Sequence, residues 1–469
     1  MDTHASPDLH PVLSRLRDAH RAAPPDYAQR MDDLARLRGV FKNRLEALCE
    51  AMNADFGRRS RHESLLTDGM TVLHEIDLVC SRLRRWMRPT RRDVDGIFLP
   101  ARAEIRYQPL GVVGVISPWN YPVNLALVPL VSAIGAGNHV MLKPSEVTPR
   151  TSEAMAELLA EAFPADRVAT VLGDADVAAA FAGLPFDHLL FTGSTDVGRK
   201  VMAAAAPNLT PVTLELGGKS PAIVAPGYST QLAAARIATG KLLNAGQTCI
   251  APDYVLTTPE TCDALVDALR EHVKVHYPSL RDGPDYSSIV NARQYARLQG
   301  LVDEARARGA RIVTLPDEAA HNVEQRIFAP TLILDAPEDT RVMREEIFGP
   351  ILPIVSVDSV KAAIDYINAR PRPLALYHFD TDRSRIRQVL ESCVSGGVTV
   401  NDCIMHIAQG ELPFGGVGPS GMGHYHGHYG FLTFSKQLPV FYQSRLTSMS
   451  LFRPPYRGVA DFLAKFLTR

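Results

Sequence analysis

Short apolar segments alternate with helical stretches along the chain, and this alternation limits the fold more than any other feature. Each segment is bounded by glycine, proline or polar residues, as buried strands are. Strands and helices in alternation predict a mainly parallel sheet with helices on both faces, because parallel strands need crossover connections. The first set of predicted strands is 111–116, 140–142, 168–172, 188–191 and 212–216, with helices at 152–162, 177–182 and 197–206 between them.

A second set of strands follows and predicts a second α/β domain that begins around Gly217. Its strands are 222–224, 254–257, 311–314, 331–334, 354–357 and 397–401, with helices near 262–273, 293–308 and 360–369. Two amphipathic helices are predicted before the first sheet, one from Leu34 to Gly57 and one around residues 73–83. Residues 103–108 alternate between apolar and polar and indicate a half-exposed strand.

Composition excludes several classes of protein. The formal net charge is -1, which gives no support for a nucleic-acid partner. The six cysteines are scattered, without a CxxC pair or a histidine at metal-ligand spacing, so reduced thiols in a cytoplasmic protein are expected and a metal site is not. Residues 1–25 lack the apolar core of a signal peptide, and polar residues and proline interrupt the apolar run 121–142, which makes it a poor membrane span. The tail, 447–469, predicts a short amphipathic helix.

The first candidate for chemistry is Cys249, which ends the sequence Asn-Ala-Gly-Gln-Thr-Cys at residues 244–249. Gly246 allows the backbone to turn tightly and to present the sulfur in a pocket. A free cysteine is more often a small buried hydrophobe, so a catalytic interpretation needs partners that hold an oxyanion and move protons.

Such partners follow the ends of predicted strands, where open α/β sheets bind ligands. Asn120 lies between two prolines, and Glu215 ends an apolar strand before two glycines. Lys143 and Glu146 are spaced to hold the hydroxyls of a ribose, and the segment at Gly193 opens a helix directly after a strand, as at a pyrophosphate site. Taken singly, each residue is equally explained as a turn residue, a helix cap or a surface charge.

Together these segments resemble the NAD(P)-dependent aldehyde dehydrogenase superfamily over residues 34–441. The most specific segments are Glu-Leu-Gly-Gly-Lys at 215–219 and Gly-Gln-Thr-Cys at 246–249. The closing segment, Pro-Phe-Gly-Gly-Val-Gly at 413–418 and its continuation through 427, resembles the class 3 branch. Within that branch, residues 424–436 are most similar to coniferyl aldehyde dehydrogenases.

The resemblance implies a role for each matching residue. Cys249 is the implied nucleophile, the Asn120 amide and the Cys249 N–H the implied oxyanion donors, and Glu215 the implied base for deacylation. The implied cofactor contacts are Lys143 and Glu146 at the adenosine ribose, Gly193 and Ser194 at the pyrophosphate, and Glu346 and Phe348 on the nicotinamide side. Trp119 is a further implied cofactor contact. Candidates for the substrate pocket, each equally explained as packing, are Tyr121, Ile250, Ile404 and His406.

The implied fold class is α/β, with a Rossmann-type cofactor domain, an α/β catalytic domain and a small β oligomerisation element. The predicted NAD(P)-binding domain comprises residues 1–90, with the N-terminal helices, and 109–216. The catalytic domain comprises 217–418, the oligomerisation segments 91–108 and 419–446, and the amphipathic tail 447–469.

The resemblance also implies a reaction and partners. An aldehyde, of the aromatic coniferaldehyde type, is oxidised to the acid through a cysteine thiohemiacetal and a thioester. NAD is the expected cofactor because Glu146 would repel a 2′-phosphate, with NADP as a second cofactor of the class 3 branch. A cytoplasmic homodimer is expected, and the tail packs on a subunit or touches a membrane surface weakly.

Four alternatives remain open from the sequence. The substrate could be a medium- or long-chain aliphatic aldehyde, or the acyl group could pass to coenzyme A instead of water. A cysteine hydrolase could be built from Cys249 with His406 and Asn401, although that leaves Glu215 and Lys143 without a use. A non-catalytic protein on the same fold is the fourth alternative.

Overall fold

The computed structural model describes residues 8–317, 320–447, 449, 453–456 and 458–468. The helices are α1 (His10–Ala22), α2 (Tyr27–Phe56), α3 (Arg61–Ser64), α4 (Met70–Trp86), α5 (Asn124–Gly135), α6 (Pro149–Ala162), α7 (Ala175–Ala182), α8 (Thr195–Ala205), α9 (Thr230–Leu242), α10 (Pro259–His276), α11 (Ala292–Ala307), α12 (Arg341–Arg344), α13 (Val360–Asn368), α14 (Arg383–Ser392), α15 (Gly427–Thr433) and α16 (Gly458–Leu467). A π-helical turn, Leu65–Gly69, joins α3 to α4, and a 3₁₀ turn, Leu243–Gly246, follows α9.

The strands form three sheets. They are β1 (Thr90–Arg92), β2 (Arg102–Pro109), β3 (Val112–Ile116), β4 (His139–Lys143), β5 (Val168–Thr170), β6 (His188–Thr192), β7 (Val212–Glu215), β8 (Pro221–Val224), β9 (Tyr254–Thr257), β10 (Arg311–Thr314), β11 (Thr331–Leu334), β12 (Ile351–Ser356), β13 (Ala375–Phe379), β14 (Gly397–Val400), β15 (Gly421–Met422) and β16 (Ser435–Tyr442).

The first sheet has the strand order β15-β7-β6-β3-β4-β5. Strands β3 to β7 run parallel, and β15 pairs antiparallel with β7, with Gly421 opposite Glu215. Every residue of β3, β4 and β6 is buried, as expected for parallel strands covered on both faces by helices. Parallel strands direct their carboxyl ends to one edge, so the segments after β3, β4, β6 and β7 meet there.

The second sheet has the order β10-β11-β12-β9-β8-β13-β14. Only its edge strand β10 pairs antiparallel among the described strands. Strands β8, β9, β11 and β13 are buried throughout, and the sheet contributes to the same apolar core as the helices α2, α4 and α5. The chain passes from the first sheet to the second between β7 and β8, across Gly217.

The third sheet is a three-stranded antiparallel ribbon of order β1-β2-β16. Its long pairing joins residues 102–109 to residues 435–442, near the two ends of the chain. Strand β16 lies at an edge and is mostly exposed. Strand β2 therefore pairs with β1, which comes just before it, and with β16, which comes more than 300 residues later.

The predicted α/β fold with mainly parallel sheets is confirmed, and most predicted strands lie within a few residues of the observed ones. The interpretation missed α1, α5, α9, α14 and β13 and began β12 three residues late. Helix α5 was hidden because Pro129 lies inside it, and proline normally ends a helix.

The tail contains a helix, α16, that is shorter than the predicted segment. It begins at Gly458, and Val459, Phe462 and Phe466 on it are 55%, 69% and 68% exposed. The apolar face is therefore not covered by the described part of this chain. No described helix combines the length and the apolar character that a membrane span requires.

Candidate active site

Cys249 follows a backbone segment in an unusual conformation. Asn244, Ala245 and Gly246 all have positive φ, at 51°, 51° and 74°. A Cβ on Gly246 would overlap the carbonyl oxygen of Gly349, so only glycine fits there. The segment turns sharply out of α9 and leaves the Cys249 side chain partly exposed, where a substrate can reach it.

The side chain of Gln247 holds this turn from inside. It is fully buried, and its Nε2 donates to the carbonyls of Asn244 and Ser288, both at 3.0 Å. Its Oε1 accepts from the Val290 N–H at 2.9 Å. Three bonds from one buried amide fix the cysteine-bearing loop, here defined as residues 244–250, to the segment at 288–290.

Asn120 lies in the loop between β3 and α5, here called the amide loop and defined as residues 117–124. The Asn120 side chain is buried, and its Nδ2 donates to the Gln247 carbonyl at 3.1 Å. Asn244 Nδ2 donates to the Asn120 carbonyl at 2.9 Å, so the two loops are joined in both directions. An amide NH₂ has two hydrogens, and the one that does not bind Gln247 is available to a substrate oxygen.

Hydrogen bonds also fix the residues on either side of Cys249. The Tyr121 hydroxyl lies 2.5 Å from the Thr248 hydroxyl, and the Tyr377 hydroxyl donates to the Ile250 carbonyl. Burial raises the pKa of the Cys249 thiol to about 12, and the charges of Glu346 and Glu215 raise it further. The N–H groups of Cys249 and Ile250 act in the opposite direction, because they stabilise a charge on the sulfur.

Glu215 ends β7 with its side chain 2% exposed. Both of its carboxylate oxygens are buried without a hydrogen-bond partner among the described residues. Burial therefore raises the pKa of Glu215 well above its usual value. Its backbone is held firmly, since the Glu215 carbonyl accepts from the Gly193 N–H at 3.0 Å. A carboxylate in this state accepts a proton readily.

Glu346 is a second carboxylate near the thiol. It lies against Gly217, where a Cβ would overlap its Oε2, and it accepts from the Gly218 N–H. Burial raises the pKa of Glu346 to about 8, and the charge of Asp253 adds to this. Its Oε1 has no hydrogen-bond partner among the described residues, which leaves an acceptor for a hydroxyl group.

Phe348 and Trp119 meet beside this carboxylate. The Phe348 ring contacts the Trp119 ring edge-on, with centroids 5.3 Å apart. Phe348 has a positive φ of 49°, so its backbone is strained, and strained backbone is commonly found at functional sites. The structure thus places Trp119, a predicted cofactor contact, against Phe348, which is predicted on the nicotinamide side.

The residues expected at the other end of a dinucleotide lie after β4 and β6. Lys143 is buried at the end of β4, and its Nζ donates to the Pro144 carbonyl at 2.8 Å and to Glu146 at 3.3 Å. After β6, Gly193 packs so tightly on Phe191 that a Cβ would not fit. Ser194 caps α8 without a side-chain bond to the helix.

These features fit a dinucleotide. The first-turn N–H groups of α8 lack a side-chain cap and suit a phosphate. The Lys143 ammonium and the half-exposed Glu146 carboxylate suit ribose hydroxyls, and the free Glu346 Oε1 suits a second ribose.

The predicted substrate-pocket residues are placed less clearly. Tyr121 is 7% and Ile250 is 2% exposed, and both stabilise the cysteine-bearing loop. Ile404 is partly buried with a positive φ of 58°. His406 lies 2.9 Å from the Thr399 hydroxyl through Nδ1, and burial lowers its pKa to about 4. Their role in binding an aldehyde stays a prediction.

Several residues at the site were not indicated by the sequence. The side chains of Gln247 and Asn244 hold the two loops, a role that the sequence motif containing them did not indicate. Tyr425 is fully buried, its hydroxyl has no partner among the described residues, and the charges of Glu215 and Cys249 act on it. The asparagine at position 244 is the sequence signal for the turn, because asparagine tolerates a positive φ. No local signal marked Tyr425.

Comparisons with known proteins show which proteins the chain is similar to. Residues 15–438 match the aldehyde dehydrogenase family. The chain is 52% identical to "Probable coniferyl aldehyde dehydrogenase" of Pseudomonas aeruginosa, over 98% of this chain and 96% of the relative. A substrate-bound AldH of Staphylococcus aureus matches with a TM-score of 0.93 and 36% identity, over 98% of this chain and 100% of that one. An aldehyde dehydrogenase of Mycobacterium tuberculosis complexed with NAD⁺ matches with a TM-score of 0.82 and 26% identity, over 94% and 90% of the two chains.

Proposed function

The chain belongs to the aldehyde dehydrogenase family and is an enzyme that oxidises aldehydes with NAD(P); on that premise we propose the roles of its residues, its substrate and its assembly. The observation that carries the assignment is the meeting of Cys249, Asn120 and Glu215. The thiol, the amide and the unpaired carboxylate come from two sheets and lie around one partly exposed sulfur.

Cys249 forms the covalent bond to the substrate. The Glu215 carboxylate takes the proton of the Cys249 thiol and passes it to solvent, and the sulfur then attacks the carbonyl carbon to give a thiohemiacetal, whose oxygen carries the developing negative charge. The free hydrogen of Asn120 Nδ2 and the Cys249 N–H stabilise that oxygen. Both donors are held by buried hydrogen bonds before substrate arrives, so they need no reorganisation during the reaction.

The cofactor site is formed by Lys143, Glu146, Gly193, Ser194, Trp119, Glu346 and Phe348. When bound there, NAD supplies the acceptor for the hydride that leaves the thiohemiacetal carbon. Glu346 and Phe348 orient the nicotinamide end, and Lys143 binds the adenosine ribose. The Glu146 carboxylate favours NAD over NADP, because it repels a 2′-phosphate.

Glu215 completes the reaction by deacylation. It removes a proton from water as the water oxygen attacks the thioester carbon, the carbon–sulfur bond breaks, and the Cys249 thiolate and a free carboxylic acid remain. Burial raises the pKa of Glu215, which makes its carboxylate a stronger base than that of an exposed glutamate and suits the removal of a proton from water. A base separate from the nucleophile favours water over coenzyme A as the acceptor.

The proposed substrate is an aromatic aldehyde of the coniferaldehyde type. The support is the high identity to the Pseudomonas aeruginosa relative, described as a coniferyl aldehyde dehydrogenase, together with aromatic side chains near the cysteine-bearing loop, namely Tyr121, Tyr377 and Tyr425. A medium- or long-chain aliphatic aldehyde is the second candidate. The apolar lining at Ile250 and Ile404 would suit an alkyl chain equally well.

Formation of NADH tests this proposal. Purified protein, NAD and a panel of coniferaldehyde, benzaldehyde and a medium-chain alkanal should give the highest kcat/KM for coniferaldehyde. Product analysis with and without coenzyme A should find the free acid in both cases. Preference for the alkanal would contradict the aromatic assignment, and an acyl-CoA product would contradict the deacylation step.

We also propose a cytoplasmic homodimer. The support is the edge strand β16, with Phe441 49% exposed, and the uncovered apolar residues of α16. An exposed strand edge pairs readily with a second copy of itself. Light scattering after gel filtration should give twice the mass of the chain, and a mass of one chain would contradict the dimer.

A further inference from the structure

The two loops that carry the oxyanion donors both bind one short segment near the N-terminus. We propose that Arg59, Glu63 and Asp68, here called the bracket, are positioning residues that set the separation of the Asn120 amide and the cysteine-bearing loop. The proposal rests on the roles given above to Asn120 and Cys249. Arg59 lies in the loop between α2 and α3, Glu63 in α3 and Asp68 in the π-helical turn before α4.

Arg59 and Asp68 hold the amide loop at both of its ends. They form an ion pair at 2.8 Å, and both side chains are completely buried. Arg59 Nη1 donates to the Asn120 carbonyl at 2.7 Å. Asp68 Oδ1 accepts from the N–H groups of Val123 and Asn124 at 3.1 Å and 2.9 Å. The pair therefore spans the amide loop from Asn120 to the start of α5.

The Arg59 guanidinium is itself fixed by aromatic rings. It lies over the Phe56 ring at 4.8 Å and over the Tyr121 ring at 5.2 Å from the centroids. Tyr121 in turn contacts Thr248, the neighbour of the nucleophile. A planar cation held between two rings has little freedom to follow a displaced loop, so it defines where the Asn120 carbonyl lies.

Glu63 holds the second loop. Its Oε2 accepts from the Asn244 N–H at 3.1 Å and from the Ser287 hydroxyl at 3.0 Å. Asn244 begins the left-handed turn that leads to Cys249. The Asn244 side chain also donates to the Asn120 carbonyl, the same oxygen that binds Arg59. One carbonyl thus links the bracket, the amide loop and the cysteine-bearing loop.

The bracket acts on the reaction through backbone groups. Arg59 and Glu63 bind the backbone of Asn120 and Asn244, respectively, and Asp68 binds the backbone after Asn120. Oxyanion donors stabilise the transition state only when they lie within hydrogen-bond distance of the charged oxygen. A displacement of either loop would therefore lower kcat more than it lowers cofactor affinity, because most of the proposed cofactor contacts lie outside the two loops.

A double-mutant cycle in the full-length enzyme tests this. Arg59→Gln is made in the wild type and in Asn120→Ala, with kcat and KM measured for the aldehyde and Kd for NADH from its fluorescence. Arg167→Gln is the matched control. Arg167 is also a buried arginine, which pairs with Asp33 at 2.8 Å and donates to the Asn138 carbonyl at 2.7 Å, the same pattern on a different loop.

The expected result is a loss of kcat in Arg59→Gln of about tenfold or more, by comparison with the loss of a single oxyanion donor. In the Asn120→Ala background the same substitution should change kcat less than about threefold, because the group through which Arg59 acts is already absent. NADH affinity should stay within about twofold. Arg167→Gln should lower the melting temperature and leave kcat unchanged.

Equal losses of kcat in both backgrounds would overturn the proposal, as would a loss in Arg167→Gln as large as in Arg59→Gln. Unchanged kcat in Asn120→Ala alone would refute the assignment of Asn120 and the bracket together. If Arg59→Gln does not fold, Arg59→Lys replaces it in the double-mutant cycle, because lysine retains the positive charge beside Asp68. Glu63→Gln retains an acceptor for Asn244 and Glu63→Ala removes it, so kcat should follow the order Gln above Ala; equal values would count against the bracket.

Discussion

Replacement of Gln247 by methionine should separate the geometry of the cysteine-bearing loop from the binding of the cofactor. Methionine has a similar length and volume, so the buried site stays filled while the amide is lost. The three hydrogen bonds to Asn244, Ser288 and Val290 disappear together. The Gln247 backbone carbonyl, which binds the Asn120 side chain, then loses its fixed position.

The expected cost follows from the partners. The Asn244 carbonyl keeps the bond from the Gln247 backbone N–H, so the penalty falls on the Ser288 carbonyl and the Val290 N–H. Each buried group left unpaired costs about 1–3 kcal/mol, which gives about 2–6 kcal/mol of lost stability. Displacement of the oxyanion donors should lower kcat by about 10- to 100-fold.

Thermal unfolding and steady-state kinetics measure the two effects. The melting temperature and kcat should both fall, while the Kd for NADH stays near that of the wild type. Gln299→Met is the matched control. Gln299 Nε2 donates to Asp303, one turn further along α11, in an exposed hydrogen bond. Unchanged kcat in Gln247→Met, or an equal loss in Gln299→Met, would refute the reasoning.

Three further substitutions test the chemistry and the buried charges. Cys249→Ala should abolish NADH formation and retain cofactor binding by fluorescence; retained turnover would refute the nucleophile. Glu215→Gln should slow deacylation, so that a burst of NADH appears and the protein gains the mass of one acyl group; an unchanged steady state without that adduct would contradict the base. Burial raises the pKa of Glu75 from 4.5 to about 7 without a nearby cation among its recorded partners. A carboxyl group with a raised folded pKa destabilises the protein as pH rises from 4.5 to 7, so Glu75→Gln should gain about 2–3 kcal/mol more stability at pH 8 than at pH 5, measured by denaturant unfolding; a gain independent of pH would contradict the shift.

The residues after strand ends were accessible from the sequence. Asn120 and Gly193 follow parallel strands of the first sheet, Lys143 and Glu215 end such strands, and parallel strands direct their carboxyl ends to one edge of a sheet. Their meeting at one edge thus follows from the α/β pattern. Cys249 lies in the loop before β9 of the second sheet, and only the resemblance to the family predicted that it lies near Asn120.

The supports of the site were not accessible. Arg59 reaches Asn120 across 61 residues, and Glu63 reaches Asn244 across 181. No local sequence pattern predicts either contact, because both join residues far apart in the chain. The nearby segment around Asp68 is a π-helical turn between two helices. The ion pair of Arg59 and Asp68 is completely buried.

The late pairing of β15 and β16 has a consequence for the synthesis of the enzyme. Strand β7, which ends at Glu215, is translated about 200 residues before its neighbour β15, which at ordinary elongation rates is about 10–40 s. Over that interval the nascent chain carries an open sheet edge beside Glu215, and the pairing of β2 with β16 comes still later. A ribosome that stops before residue 421 therefore releases a chain whose first sheet is unfinished.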